Sequence, residues 1–260
     1  METIFRMLTL YNSSQKTDAY HKIIDVIFRN PGAFERMSIA ELAEISYTSV
    51  PTIVRFAKAL KHKSFSDFKY SFLFDMTAYP NTLWFDKDPT PSNYVAYNRR
   101  ILDDIEATLN EMPFDALLEA LHGASYVPFY MTFPFTGVLA LQFALLHDGK
   151  RSVVFSSEPD YMEDVPTLDE NALVVYTAIP SSRLQNNEEK ILRNIKERGA
   201  KLFITSPAPP PLYTKMADYY GAFAPKAPIH TSSIISLTLF MNTFSMFYRY
   251  RYTDEGRIRG

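Results

Sequence analysis

Two short amphipathic patterns between Ser38 and Lys69, separated only by the polar stretch Ser46-Tyr47-Thr48, constrain this chain more than any other feature. Ile39, Leu42, Ala43 and Ile45 recur at helical spacing and predict one apolar stripe facing a core. Ser38 with Glu41 three residues later is the signature of a capping box, so the first helix is read from about Ser38 to Ile45. Ser49 can cap a second helix. Pro51 falls in its first turn, where a missing amide costs no intrahelical bond. Val50, Ile53, Val54, Ala57 and Leu60 then make the inward face of that helix.

This layout leaves Ser49, Thr52 and Arg55 projecting outward from the N-terminal half of the second helix. In a helix-turn-helix, that half reaches base edges while amides and basic side chains hold phosphates. From Thr48 to Tyr70, Arg55, Lys58, Lys61, Lys63 and Lys69 stand against a single acid, Asp67, which makes the segment attractive to double-stranded DNA. The candidate DNA contacts are therefore Thr48, Ser49, Thr52, Arg55, Lys58, Lys61, Lys63 and Lys69. An ordinary small helical domain with a solvated lysine face would show the same spacing.

Leu42-Ala43, Ser49, Thr52-Ile53-Val54-Arg55-Phe56, Phe65 and Phe68-Lys69 resemble the signature of the RpiR/MurR family of bacterial transcriptional regulators. The preceding helical stretch, roughly Lys16 to Arg29 followed by Asn30-Pro31, resembles that family's first helix. The family's glycine after the helix-ending Leu is Lys61 here, and the glycine before the first Phe is Ser64, so this corner has to turn without glycine.

At 260 residues the chain suits two modest domains or one large one, and 47 % hydrophobic with 15 % aromatic residues can fill real cores. The net charge of −2 hides an asymmetry, because residues 1–77 hold ten Lys and Arg against eight Asp and Glu. The remainder is acidic, which confines a DNA-facing surface to the N-terminal part. The absence of cysteine excludes a disulfide framework, a thiol nucleophile and a cysteine-based zinc site, and fits a cytoplasmic location. The opening METIFRMLTLYNSS lacks the order of a secretory signal. The longest apolar stretch, Ile234 to Tyr248, is interrupted by Ser236, Thr238, Asn242, Thr243 and Ser245 and falls short of the ~20 residues that cross a bilayer. It reads as a buried or subunit-packing helix.

From Ala78 to Asn93, prolines, asparagines and charges replace helical periodicity, which predicts a linker containing Trp84, the only tryptophan, either docked or exposed. A helix follows from Tyr94 to about Asn110. The expected domains are residues 1–77, all-α and helix-turn-helix; 78–105, linker and connecting helix; and 106–260, an α/β effector and dimerisation domain. In this last part, strands at Tyr126–Thr132, Ser152–Phe155, Ala172–Thr177 and Lys201–Thr205 alternate with helices near Gly137–Leu146 and Asn187–Arg198, which predicts a parallel sheet flanked by helices. Ligands of such sheets bind beyond the carboxyl ends of the strands. There the sequence offers Thr132, Thr136, Thr177, Ser181, Ser182, Arg183, Thr205 and Ser206, which suit an anion or sugar hydroxyls but serve equally as turn and cap residues.

The segments NNEEKILRNIKERGAKLFITS and MADYY resemble those of a sugar isomerase (SIS) domain. In RpiR-type regulators such a domain binds a phosphorylated sugar and dimerises. The family's first ligand loop, of G-x-G-x-S type, corresponds to Met131-Thr132-Phe133-Pro134-Phe135-Thr136. Its second, S-x-S-G-x-T, corresponds to Tyr176-Thr177-Ala178-Ile179-Pro180-Ser181-Ser182-Arg183; neither keeps its glycines. Only eight glycines occur in the chain, about 3 % against a usual ~7 %. The resemblance implies effector contacts at Thr132, Thr136, Ser181, Ser182 and Arg183. Arg183 either replaces missing amides with a forked contact or is a solvated loop residue.

His21, His62, His122, His147 and His230 are scattered, and Glu188 and Glu189 read as charges at a helix N-terminus, so no catalytic residue, metal or cofactor is expected. The aromatic-rich stretch Thr238–Tyr252 suits packing against a second copy or an internal core. The expectation is a cytoplasmic, homodimeric or homotetrameric regulator of a palindromic or repeated operator. A sugar-phosphate effector, a ligand-free dimerisation module and a sugar-phosphate isomerase are the readings of its second part.

Overall fold

The computed structural model describes residues 2–82, 90–131, 136–156, 158–178, 185–207, 211–223 and 233–253. Trp84 lies outside them. The chain divides into two compact units, Met1–Leu83 and Trp84–Gly260.

The first unit is helical: α1 (Glu2–Ser13), α2 (Ala19–Arg29), α3 (Pro31–Phe34), α4 (Ile39–Ile45), α5 (Val50–Ala59) and α6 (Phe65–Thr82). Ile23, Ile24, Ile27, Phe34, Leu42, Ile53, Phe56, Phe68 and Phe72 are fully buried in its core. Phe34 meets Phe72 edge-on with centroids 5.4 Å apart, and Phe56 meets Phe68 the same way at 5.3 Å, a geometry favoured by the ring quadrupole. Asp75 of α6 caps α1 by accepting from the amides of Thr3 at 2.8 Å and Ile4 at 3.2 Å. Helix α6 runs on to Thr82, past Ala78, where the sequence suggested that the linker begins.

The second unit contains α7 (Pro91–Glu111), α8 (Phe114–Gly123), β1 (Tyr126–Tyr130), α9 (Thr136–His147), β2 (Arg151–Phe155), α10 (Glu158–Asp164), β3 (Leu173–Thr177), α11 (Gln185–Glu197), β4 (Lys201–Ser206), α12 (Pro211–Met216), β5 (Tyr219–Ala222) and α13 (Ser233–Tyr252). The five strands are parallel, in the order β2-β1-β3-β4-β5. Alternation along β1 sends Val127 and Phe129 to one face, where α7, α8, α9 and α13 pack. Tyr126 and Tyr130 go to the other, beneath α10, α11 and α12. Helix α13 buries Leu237, Phe240, Phe244 and Tyr248 yet exposes Met246, Phe247 and Tyr250. It is apolar on more sides than one core requires.

On the tyrosine face, buried carboxylates replace part of the expected oil. Asp164 accepts from Tyr126 at 2.7 Å and Tyr130 at 2.8 Å. Glu188 accepts from Tyr176 at 3.2 Å and Tyr213 at 2.5 Å. Burial first, and then the neighbouring carboxylates, push all four phenols above the ordinary tyrosine range, so each keeps its proton and donates. A folded-state pKa raised above the unfolded value means stability that is fully present below ~10 and falls as pH rises beyond it. The unit is therefore expected to loosen in base, with tyrosinate absorbance and loss of helical circular dichroism appearing together. Gradual titration of these tyrosines with the fold intact would contradict their burial.

Candidate DNA interface and effector edge

Ser38 opens α4 with a full capping box: its hydroxyl accepts from the Glu41 amide at 3.2 Å, and the Glu41 carboxylate accepts from the Ser38 amide at 2.6 Å. The bonds to Ser38 hold the Glu41 carboxyl below its ordinary range. Helix α5 begins as the sequence implied, with the Ser49 hydroxyl accepting from the Thr52 amide at 3.3 Å and Pro51 in the first turn.

Both α4 and α5 end in Schellman caps. After α4, the Tyr47 amide donates to Glu44 at 3.0 Å and the Thr48 amide to Ala43 at 2.8 Å. After α5, Lys61 donates to Lys58 at 2.9 Å and His62 to Ala57 at 3.0 Å. The left-handed position of each cap is held by a side-chain-bearing residue, Tyr47 at φ 51° and Lys61 at φ 64°. The corner lacking glycine thus turns in the ordinary way and bears a strain of roughly 1–2 kcal/mol per site. Ser64 then starts α6, accepting from the Asp67 amide at 3.1 Å.

The outward face of α5 is an ordered polar row. The Ser49 and Thr52 hydroxyls are 2.9 Å apart, and Arg55 donates from Nη2 to Thr52 Oγ1 at 3.2 Å. Ser49, Arg55, Lys58, Lys61 and Lys63 are exposed, and Thr52 is half-buried. Two members of the sequence set are occupied within the domain. Thr48 bonds the Ser46 hydroxyl at 2.9 Å inside the turn. Lys69 donates to the Met37 carbonyl at 3.0 Å and lies over the Phe34 ring. Ile45 and Val50, read as inward, are 49 % and 39 % exposed. They stand at the facing ends of α4 and α5, where the short helices turn away from a core already filled by Leu42, Ile53 and Phe56. Phe56, which the apolar stripe did not include, is fully buried there.

At the carboxyl edge of the sheet, Thr132, Ser181, Ser182 and Arg183 lie outside the described residues. Thr136 is exposed at the start of α9. The neighbouring strand-end hydroxyls are buried and bonded internally: Thr205 donates to Thr177 at 3.2 Å, and Ser206 pairs with Tyr220 at 2.6 Å. Glu188 has a role here that the sequence reading did not include. It does stand in the first turn of α11, as the sequence implied, but its carboxylate is buried and accepts from two tyrosines of β3 and α12. The signal available was its place on the apolar side of α11, three residues before Ile191. Among the described residues there is no group of three or more His, Asp or Glu side chains able to hold a metal, and no helix long and apolar enough to cross a membrane.

Among solved structures, the chain is similar to the Vibrio vulnificus NanR protein complexed with ManNAc-6P, at 14 % identity over 97 % of this chain and 93 % of that one, with a TM-score of 0.49. It is also similar to the sugar isomerase domain of an RpiR transcription factor from Sphaerobacter thermophilus, at 18 % identity over 62 % of this chain and 91 % of that one, TM-score 0.48. No curated protein matches the chain in sequence. Residues 8–77, which span α2 to α5, half of α1 and most of α6, match the helix-turn-helix domain of the rpiR family. What these residues carry is therefore a helix-turn-helix domain of the rpiR family type, over the first unit of the chain.

Proposed function

We propose that the chain is a transcriptional regulator that sets α5 into the major groove of an operator, while its sheet unit joins protomers and takes a sugar-phosphate effector at the carboxyl edge of the strands. The observation that carries the reading is the outward row of exposed Ser49, Arg55 and Lys58 with half-buried Thr52 on the face of α5, inside a domain that matches this family's. Arg55 has the fork that matches guanine O6 and N7, and Lys58 suits a phosphate.

The test uses a duplex that the wild-type protein enriches from a random-sequence library. In an anisotropy titration at fixed salt, Arg55→Ala is expected to lose ~1–3 kcal/mol on that duplex and to relax its sequence preference. Lys58→Ala is expected to weaken all sequences alike and reduce the salt slope by about 0.9. Normal binding by Arg55→Ala would remove α5 from the groove.

Assembly is supported by α9 and α13, which pack together and still expose Leu139, Phe143, Met246, Phe247 and Tyr250. A groove of about 660 Å³ opens beside them between α7, α8 and α13, lined by Leu102, Ile105, Leu109, Phe114 and Phe247. Apolar surface of this kind suits a second copy of the chain and a two-headed reader of half-sites.

The effector reading is supported by the parallel sheet, whose carboxyl edge is the usual ligand crevice, and by α9 starting there with Thr136. A non-enzymatic role fits Glu188, both of whose oxygens already accept tyrosine hydroxyls. Phosphorylated sugars are expected to raise the melting temperature, by ~2.7 kcal/mol of stabilisation at 100 times the dissociation constant. Unphosphorylated sugars are expected to do less. No shift with any phosphosugar would leave the sheet unit as an assembly module.

A further inference from the structure

Tyr47 is 91 % exposed, the most exposed large apolar side chain among the described residues, and it stands in the turn that leads into α5. Three observations make this more than a solvated ring. Its backbone sits in the left-handed region at φ 51°, where glycine or asparagine is the undemanding choice. The turn that holds it is ordered by the two cap bonds, and by the buried Ser46 hydroxyl donating to Leu42 at 2.6 Å and pairing with Thr48. Ile45 and Val50 on either side are exposed as well, so the turn presents an apolar surface continuous in sequence with the polar row of α5. The Schellman cap sets the left-handed backbone at this position without calling for an aromatic ring, and backbone outliers of this kind cluster at sites that meet a ligand.

We propose that Tyr47 is a DNA contact, its ring lying against a deoxyribose at the edge of the groove that α5 enters and its hydroxyl donating to a phosphate oxygen. The occupant follows from position. The turn immediately precedes Ser49 and the N-terminal half of α5, which is the half that meets the duplex in this architecture. Sugar faces beside phosphates offer the paired apolar and acceptor chemistry that a phenol matches, and hydroxyl side chains are regular donors to phosphate. The inference rests on the reading of α5 as the recognition helix.

Tyr47→Gly separates contact from fold, because glycine relieves the left-handed strain while deleting the side chain. On the duplex enriched by wild-type protein, with the full chain in each case, Tyr47→Gly is expected to melt no lower than wild type yet bind about tenfold more weakly. Tyr47→Phe is expected to fall between the two, having kept the ring and lost the phosphate bond. Arg55→Ala in the same assay is the reference. Wild-type affinity for Tyr47→Gly beside a loss for Arg55→Ala would overturn the role of Tyr47 alone. Wild-type affinity for both would overturn the placement of α5 and this inference with it. A change of solution mass in Tyr47→Gly with unchanged DNA affinity would assign the surface to a second copy of the chain and also refute the contact.

Discussion

Gly137→Ala is expected to destabilise the sheet unit by about 3 kcal/mol or more, the largest effect of any single methyl group considered, because the added carbon meets backbone rather than a side chain. A Cβ at Gly137 would stand 2.2 Å from the Thr238 carbonyl oxygen and 3.1 Å from the Asn242 amide nitrogen. Neither atom can rotate away, so α9 and α13 would have to separate, and with them the apolar layer of Leu141, Leu145, Leu237 and Phe240. Interiors at crystal-like density do not absorb such a shift locally. The control is Gly32→Ala, where a Cβ meets nothing within 4 Å. Urea melts of the two variants beside wild type decide the matter. An unchanged midpoint for Gly137→Ala would mean that the two helices do not approach so closely. The same two helices bear the exposed Phe143 and Met246, so the variant also tests the proposed assembly surface, which is expected to weaken as the unit loosens.

Glu188→Ala is expected to cost about 3 kcal/mol, since it strands two buried phenols at once and leaves a void where the carboxylate stood. Tyr176 and Tyr213 are 2 % and 7 % exposed, so neither hydroxyl can turn to bulk water for a new partner. Glu188→Gln keeps one acceptor oxygen and is expected to cost less than half as much. Tyr176→Phe made in the Glu188→Ala background should add little, because the stranded hydroxyl is then gone. A double-mutant cycle in urea reads this coupling directly. Strict additivity of the two substitutions would show that they do not share a hydrogen bond. Loss of stability without loss of DNA affinity would also separate this cluster from the reading surface on α5.

Much of the N-terminal unit was legible because its signals are local. Ser38 and Glu41, Ser49 and Thr52, and the apolar spacing of Leu42, Ala43, Ile53 and Ala57 act within one or two helical turns, where backbone geometry alone decides who meets whom. The alternation of short apolar runs with helical stretches gave the parallel sheet for the same reason. The short strand β5, Tyr219–Ala222, escaped notice because four residues give no usable period, and its pairing with Phe203 to Ser206 is supplied by a neighbour.

The sequence by itself determined the two caps, the face of α5 that carries Ser49, Thr52 and Arg55, and the class of each unit. Only the tertiary structure decided that Lys69 turns inward to the Met37 carbonyl, that Ile45 and Val50 stay in solvent around Tyr47, that Glu188 is a buried hub for two tyrosines, and that Gly137 lies against the backbone of α13. Each depends on a partner far along the chain or on a core already filled by other residues. Burial and pairing of that kind are properties of packing, which the pattern of neighbouring residues does not encode.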